Sequence, residues 1–99
     1  MLLVIDVGNS NTVIGAMESG DVKFHWRITT QSRTTDEFGM LLLELLRFRN
    51  IEASDVVGVC VSCVVPSVLY AIEKSSKRYL NHDAFVIGKG IKTGMRICT

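Results

Sequence analysis

The hydrophobic period of the chain changes near residue 30, and that change narrows the folds open to it. Just before it, Val22, Phe24, Trp26 and Ile28 alternate with Lys23, His25, Arg27 and Thr29. Such a period of two predicts an antiparallel strand with one wet face, its apolar set on one side. Upstream, Leu2 to Ile5 is a continuous apolar run, as expected of a strand buried on both faces. Thr12 to Met17 is β-branched and apolar, interrupted by Gly15, and Glu18-Ser19-Gly20-Asp21 has the chemistry of a hairpin turn. The opening segment therefore reads as a three-stranded meander whose first turn, Asp6-Val7-Gly8-Asn9-Ser10-Asn11, is unusually polar.

Beyond the change the spacing becomes helical. Thr34-Thr35-Asp36-Glu37 has the pattern of a capping box, with Thr34 as N-cap and Glu37 reaching back. Phe38, Leu41, Leu42, Leu45 and Phe48 then predict an amphipathic helix ending near Asn50. Leu41 to Leu46 is apolar beyond one stripe, so the helix is expected to be covered on more than one side, by a second domain or a partner. Val56 to Val61 reads as a second buried strand. Pro66 opens another helix running to about Leu80, whose Lys74, Lys77 and Arg78 suit the negative end of its dipole. Ala84 to Ile87 reads as a third buried strand, ended by Gly88-Lys89-Gly90, while Ile91 to Thr99 fits neither pattern. The order β-β-β-α-β-α-β, with helical crossovers between buried strands, implies a mixed sheet covered by helices, an α/β fold. No internal repeat and no interdomain linker is visible.

Composition narrows the function. At 99 residues the chain holds one modest domain, and 47% hydrophobic residues with a single proline make it globular. Eleven basic against ten acidic residues, scattered along the chain, leave a net charge of +1, no footprint for nucleic acid or an anionic membrane. No run approaches the ~20 apolar residues of a membrane helix. The N-terminus has no basic region and meets Asp6 too early for a signal peptide. Three cysteines form no disulfide framework, so a reducing cytoplasm is the expected location.

The chemistry concentrates in Asp6-x-Gly8-Asn9-Ser10-Asn11-Thr12, between two strands. The tip of a buried strand would hold Asp6 rigidly, and Gly8 would let backbone approach a ligand. Asn9, Ser10, Asn11 and Thr12 offer amide and hydroxyl donors suited to phosphate oxygens. A carboxylate repels phosphate, so Asp6 makes sense there only through a cation, most simply hydrated Mg²⁺. Turn chemistry alone leaves this level with a plain Asn/Gly/Ser-rich turn. The loop enters a strand and carries no lysine, which excludes a P-loop and a dinucleotide-binding turn. Gly88-Lys89-Gly90-Ile91-Lys92-Thr93-Gly94 is only superficially similar to a P-loop and reads as a surface loop. Cys60-x-x-Cys63 has a strand spacing that sends its side chains to opposite faces, so both, with Cys98, read as structural. His25 and His82 read as exposed polar residues, Trp26 as core, and Arg27, Arg33 and Asp36 as surface ion-pair formers.

A strand followed by Asp-x-Gly-x-x-Asn and a hairpin resembles the first phosphate loop of the actin-like ATPase and sugar-kinase superfamily, with its ribonuclease H-like domain. Leu3-Val4-Ile5-Asp6-Val7-Gly8-Asn9-Ser10-Asn11-Thr12 is similar to the opening of bacterial type III pantothenate kinases. Three further stretches resemble that family in order: Trp26 to Thr30 followed by Arg33-Thr34-Thr35-Asp36-Glu37-Phe38, then Ser62-Cys63-Val64-Val65-Pro66, then Gly88 to Gly94. The resemblance implies ATP-dependent phosphorylation of pantothenate, the first step of coenzyme A synthesis, by a cytoplasmic homodimer using Mg²⁺ and K⁺ or NH₄⁺. Carried over by position, Asp6, Val7, Gly8, Asn9, Ser10, Asn11, Thr12 and Val13 would form the ATP-phosphate segment, with Asp6 holding Mg²⁺ through water. The family is longer, with two duplicated domains, and its base is an aspartate in a Gly-x-Asp-Arg motif expected beyond residue 99. Residues 1–99 are thus expected to be an incomplete N-terminal actin-like domain. It would have no catalytic residue, no monovalent-cation site and no turnover of its own. Lys89, where the family has proline, is expected to be tolerated. A non-catalytic nucleotide-binding relative and a bare association module are the competing readings.

Overall fold

The chain, described here by a computed structural model over residues 1–87, runs β1 (Leu2–Val7), β2 (Asn11–Glu18), β3 (Asp21–Thr29), α1 (Thr35–Phe48), β4 (Gly58–Cys63), α2 (Pro66–Leu80) and β5 (Ala84–Ile87). A short 3₁₀ turn, Ala53–Asp55, precedes β4. The stretch from Gly88 to Gly94, and Cys98, lie outside the described residues. The five strands form one mixed sheet in the order β3-β2-β1-β4-β5. β1 is antiparallel to β2 and parallel to β4, and β4 is parallel to β5. The predicted meander, crossovers and element order are all present.

Register decides which face each strand buries. Leu3, Ile5 and Val7 of β1 stand beside Ala16, Ile14 and Thr12 of β2 and beside Val59, Val61 and Cys63 of β4. This face meets Phe38, Leu42 and Leu46 of α1 and Val68, Ile72 and Leu80 of α2 to form the core. Alternate residues go the other way: Leu2 and Val4 are only half-buried and Asp6 is exposed. Among the described residues, therefore, β1 is fully buried on one face and not on two, and β5 likewise leaves Phe85 43% exposed.

Local chemistry sets the ends. The capping box is complete, Glu37 N–H donating to Thr34 Oγ1 at 3.1 Å and Thr34 N–H to Glu37 Oε1 at 2.8 Å. α2 begins at Pro66, whose missing N–H costs nothing at that position, and closes on Asn81 in the left-handed region. The β2–β3 hairpin turns on Ser19 (φ 56°) and Gly20 (φ 83°), the paired positive dihedrals that match strand twist.

Several sequence expectations need correction. A bulge between Ala16 and Met17 shifts the β2–β3 register, so Val22 leaves the Phe24–Trp26–Ile28 face and is 56% exposed. β4 begins two residues later than the apolar run and extends through Ser62 and Cys63, because it pairs along β1 as far as Val7. Phe48 is 77% exposed, since the last turn of α1 carries it off the core; Arg49 lies over its ring and over Phe24. Leu41, Leu43 and Leu45 pack against the core within this chain, leaving Met40 exposed on α1. His82 is half-buried, and its Nε2 lies 2.7 Å from the accepting Val56 carbonyl. Arg33 donates to the Thr29 carbonyl at 3.1 Å in place of an ion pair, and Arg27 has no ion-pair partner among the described residues. Trp26 is half-buried against the core, Cys60 is buried, and Cys63 Sγ–H donates to the Val65 carbonyl.

Asp36 does form the expected pair, with Arg78 at 3.0 Å, and also accepts from the Tyr79 hydroxyl at 2.6 Å, tying the start of α1 to the end of α2. The Tyr79 hydrogen bond, followed by that from Arg78, holds the Asp36 carboxyl below the usual carboxylate range. The same bond pushes the Tyr79 hydroxyl above the usual phenol value. A depressed carboxyl stabilises the fold above its unfolded pKa and loses that contribution as pH falls through the folded value. A raised phenol loses its contribution as pH climbs through and past the unfolded value. The melting temperature should therefore fall below about pH 4 and again above about pH 10, around the ordinary values of 3.8 and 10.0. Asp36→Asn should flatten the acidic limb in melts across pH, and an unchanged limb would show that this link carries no stability.

Candidate functional site

β1 and β4 lie side by side and parallel, yet the chain leaves β1 toward β2 and leaves β4 toward β5, on opposite sides. The hairpin connection from β1 and the helical connection from β4 therefore diverge at the carboxyl ends of the two strands. Such a reversal of strand order opens the crevice in which α/β sheets bind ligands. Its lips are the Gly8–Asn11 turn and the Val64–Pro66 entry into α2, joined at the floor by Val64 N–H donating to the Val7 carbonyl at 3.1 Å.

Asp6 stands at this place, exposed, on the sheet face away from the helices, with Val13 and Ser62 as its neighbours in register. Its carboxylate has no hydrogen bond or ion pair among the described residues. Gly8 donates to the Asn11 carbonyl at 2.9 Å, and a Cβ on Gly8 would sit 3.2 Å from that oxygen, so a side chain there would press the turn by a few tenths of an ångström. Unlike the β2–β3 turn, Asn9 and Ser10 keep negative φ. Asn9, Ser10 and Asn11 are exposed. The carbonyls of Val7, Ser10 and Asn11 are taken by Val64, Thr30 and Gly8 N–H groups, whereas the N–H groups of Asn9 and Ser10 have no acceptor among the described residues. With the Ser10 and Asn11 carbonyls engaged and the Asn9 and Ser10 amides open, the turn offers free donors to an approaching anion. The neighbouring start of α2 has no acidic residue in its first turn and no side-chain cap, leaving its positive end uncompensated.

The eight segment residues thus divide. Asp6, Gly8, Asn9, Ser10 and Asn11 come together on the open rim, Val13 stands half-buried beside Asp6, and Val7 and Thr12 point to the helix side. Thr12 is 3% exposed and its hydroxyl lies 2.8 Å from that of Thr30, so the hydroxyl is engaged within the protein. No group of three or more His, Cys, Asp or Glu side chains able to hold a metal occurs among the described residues. A single exposed carboxylate without a cage fits a hydrated Mg²⁺ shared with phosphate oxygens, the way this ion is usually held. Ser62, which belongs to a stretch that resembles the family, is not among the residues that the sequence marks as the site. Only the parallel β1–β4 register, in which Asp6 meets Ser62, places it beside the carboxylate.

The family model for type III pantothenate kinases matches residues 2–99. A type III pantothenate kinase from Syntrophotalea carbinolica is 51% identical over 98 residues, covering 98% of this chain and 38% of the relative. One from Geobacillus kaustophilus is 42% identical over the same share of each chain. The chain spans about two fifths of the length of these curated relatives. Among solved structures, a Bacteroides thetaiotaomicron protein with an actin-like ATPase fold and unknown function aligns at a TM-score of 0.64 and 10% identity, covering 99% of this chain and 37% of that one. An ethanolamine utilization protein from Carboxydothermus hydrogenoformans aligns at 0.61 and 14% identity, covering 90% and 45%. At such identities the likeness shows the fold alone, and that fold is the actin-like ATPase fold.

Proposed function

The chain belongs to the type III pantothenate kinase family, and we propose that it supplies the nucleotide-phosphate side of a cleft in which ATP phosphorylates pantothenate. The observation that carries this reading is the rim at the β1/β4 reversal, where an unpartnered carboxylate, Asp6, stands beside a turn with open amides at Asn9 and Ser10. In phosphoryl transfer, catalysis is positioning and charge neutralisation. The turn amides and the Asn9, Ser10 and Asn11 side chains would bind and orient the phosphates from one side. Val7, Gly8, Thr12 and Val13 complete the segment as its frame. Asp6 would hold Mg²⁺ through water, and the ion supplies neutralisation of charge on the phosphate oxygens. The base that takes the proton of the pantothenate hydroxyl is assigned to an aspartate of a Gly-x-Asp-Arg motif outside this chain. A monovalent cation, K⁺ or NH₄⁺, a second domain, a homodimer and a cytoplasmic location complete the proposal. No described helix is long and apolar enough to cross a membrane.

The test is an assay of two proteins, residues 1–99 alone and a full-length form carrying them followed by a second domain. The long form should phosphorylate pantothenate with ATP and Mg²⁺, and the short form should give no product above background. A folded long form that leaves pantothenate unmodified would remove the kinase reading, and turnover by the short form would place the base within these residues.

A further inference from the structure

The phosphate turn is closed by one bond of its own, Gly8 N–H to the Asn11 carbonyl, but lacks the dihedrals of a self-supporting hairpin. A two-residue hairpin connection is self-supporting when its central residues take positive φ, as Ser19 and Gly20 do in the neighbouring hairpin. Asn9 and Ser10 do not, and the turn is braced from outside. Thr30, one residue past the end of β3, continues the β2–β3 ladder by donating its N–H to the Ser10 carbonyl at 2.9 Å. Its side chain lies on the helix face, and its hydroxyl is 2.8 Å from the hydroxyl of Thr12, at the other end of the same turn. Thr30 therefore grips the turn at two points, one main-chain and one side-chain.

The grip is itself anchored. Thr12 is 3% exposed, so its hydroxyl has little access to water, and a hydrogen bond in such surroundings is stronger than one at the surface. Thr12 and Thr30 line a small pocket with Phe38, Val68 and Ile72, whose volume of about 10 Å³ admits at most a single water. Arg33 closes the segment behind Thr30 by donating to the Thr29 carbonyl at 3.1 Å.

The geometry points to Thr30 as the positioning residue for nucleotide phosphate. Lying behind the turn, away from the Asp6 face, it aims the Asn9 and Ser10 amides through its hold on Ser10 and Thr12. This rests on the kinase reading above and adds to it a residue outside the phosphate segment. It also gives Thr12 a bracing part, its hydroxyl directed at Thr30.

The experiment measures the full-length kinase, with KM for Mg–ATP and for pantothenate taken separately. Thr30→Val keeps the main-chain bond to Ser10 and removes the hydroxyl. KM for Mg–ATP should rise about tenfold, the order of one net hydrogen bond, with KM for pantothenate unchanged and Thr30→Ser restoring the native value. Because Thr30→Val strands a buried hydroxyl on Thr12, Thr12→Val/Thr30→Val is measured beside it. Removing both partners returns the melting temperature toward wild type, while KM for Mg–ATP stays raised. If that double variant bound Mg–ATP as wild type does, the pair would be structural only and the inference would fall. Equal rises in both KM values would overturn it too. A wild-type protein inactive on pantothenate would remove the kinase reading and this inference with it, an outcome distinct from an active wild type with an indifferent Thr30.

Discussion

Replacing Asp6 by asparagine should lower kcat/KM for pantothenate phosphorylation by at least about 100-fold, the usual effect of deleting one charge-stabilising group from a reacting centre. The melting temperature should hold within about 2 °C, as for a surface change worth under about 0.5 kcal/mol. The two halves of this expectation come from one observation. Asp6 is exposed and its carboxylate contacts no donor among the described residues, so the fold spends nothing on it and loses nothing with it. Asparagine keeps the size of the side chain between Val13 and Ser62, removes the charge and turns one acceptor oxygen into an NH₂ donor. Without that charge a hydrated Mg²⁺ would lose the anchor proposed for it. Steady-state kinetics on the full-length enzyme, with a melt of the same sample, checks both halves. Wild-type kinetics would make Asp6 a turn residue, and a large loss of stability would mean that its carboxylate braces the strand.

What could be seen in the sequence follows a physical divide between local and long-range causes. α2 lies where Pro66 and the approach to Asn81 place it, and α1 begins where Thr34 and Glu37 say, because caps act within one turn. The Ser19-Gly20 turn is legible for the same reason. The misplaced residues answer to partners far along the chain. Val22 faces away because Lys23 bulges from β3 opposite Ala16 and Met17, His82 is drawn inward by the Val56 carbonyl, and Ser62 gains its place from Asp6. The candidate site shows the same split. Its polar segment is contiguous and stands out at once. That Thr12 belongs to a brace, and that the brace includes Thr30, depends on β2–β3 register and on the helix packing behind it.

Gly39 is the sharpest case, for a glycine inside a helix looks like a weakness until its neighbour is known. In an isolated helix, alanine at this position would be more stable by about 1 kcal/mol. Here a Cβ would collide with the Tyr79 ring of α2, lying 2.7 Å from its Cγ and nearer still to two outer carbons. The ring cannot simply swing aside, because the Tyr79 hydroxyl is held by Asp36 at 2.6 Å, one turn before Gly39 on the same helix. Close approach of α1 and α2 at this point thus requires the missing side chain. Gly39→Ala should cost about 2 kcal/mol net, overpacking outweighing the gain in helix propensity, and lower the melting temperature by about 8–16 °C. In a Tyr79→Ala background the obstacle is gone, and the same substitution should stabilise by up to about 1 kcal/mol. Denaturant unfolding of the four proteins in this cycle reads the coupling directly. A change of sign between the two backgrounds is the expected result. Equal destabilisation in both would place the cost elsewhere in α1 and deny the contact with Tyr79 any part in holding the helices together.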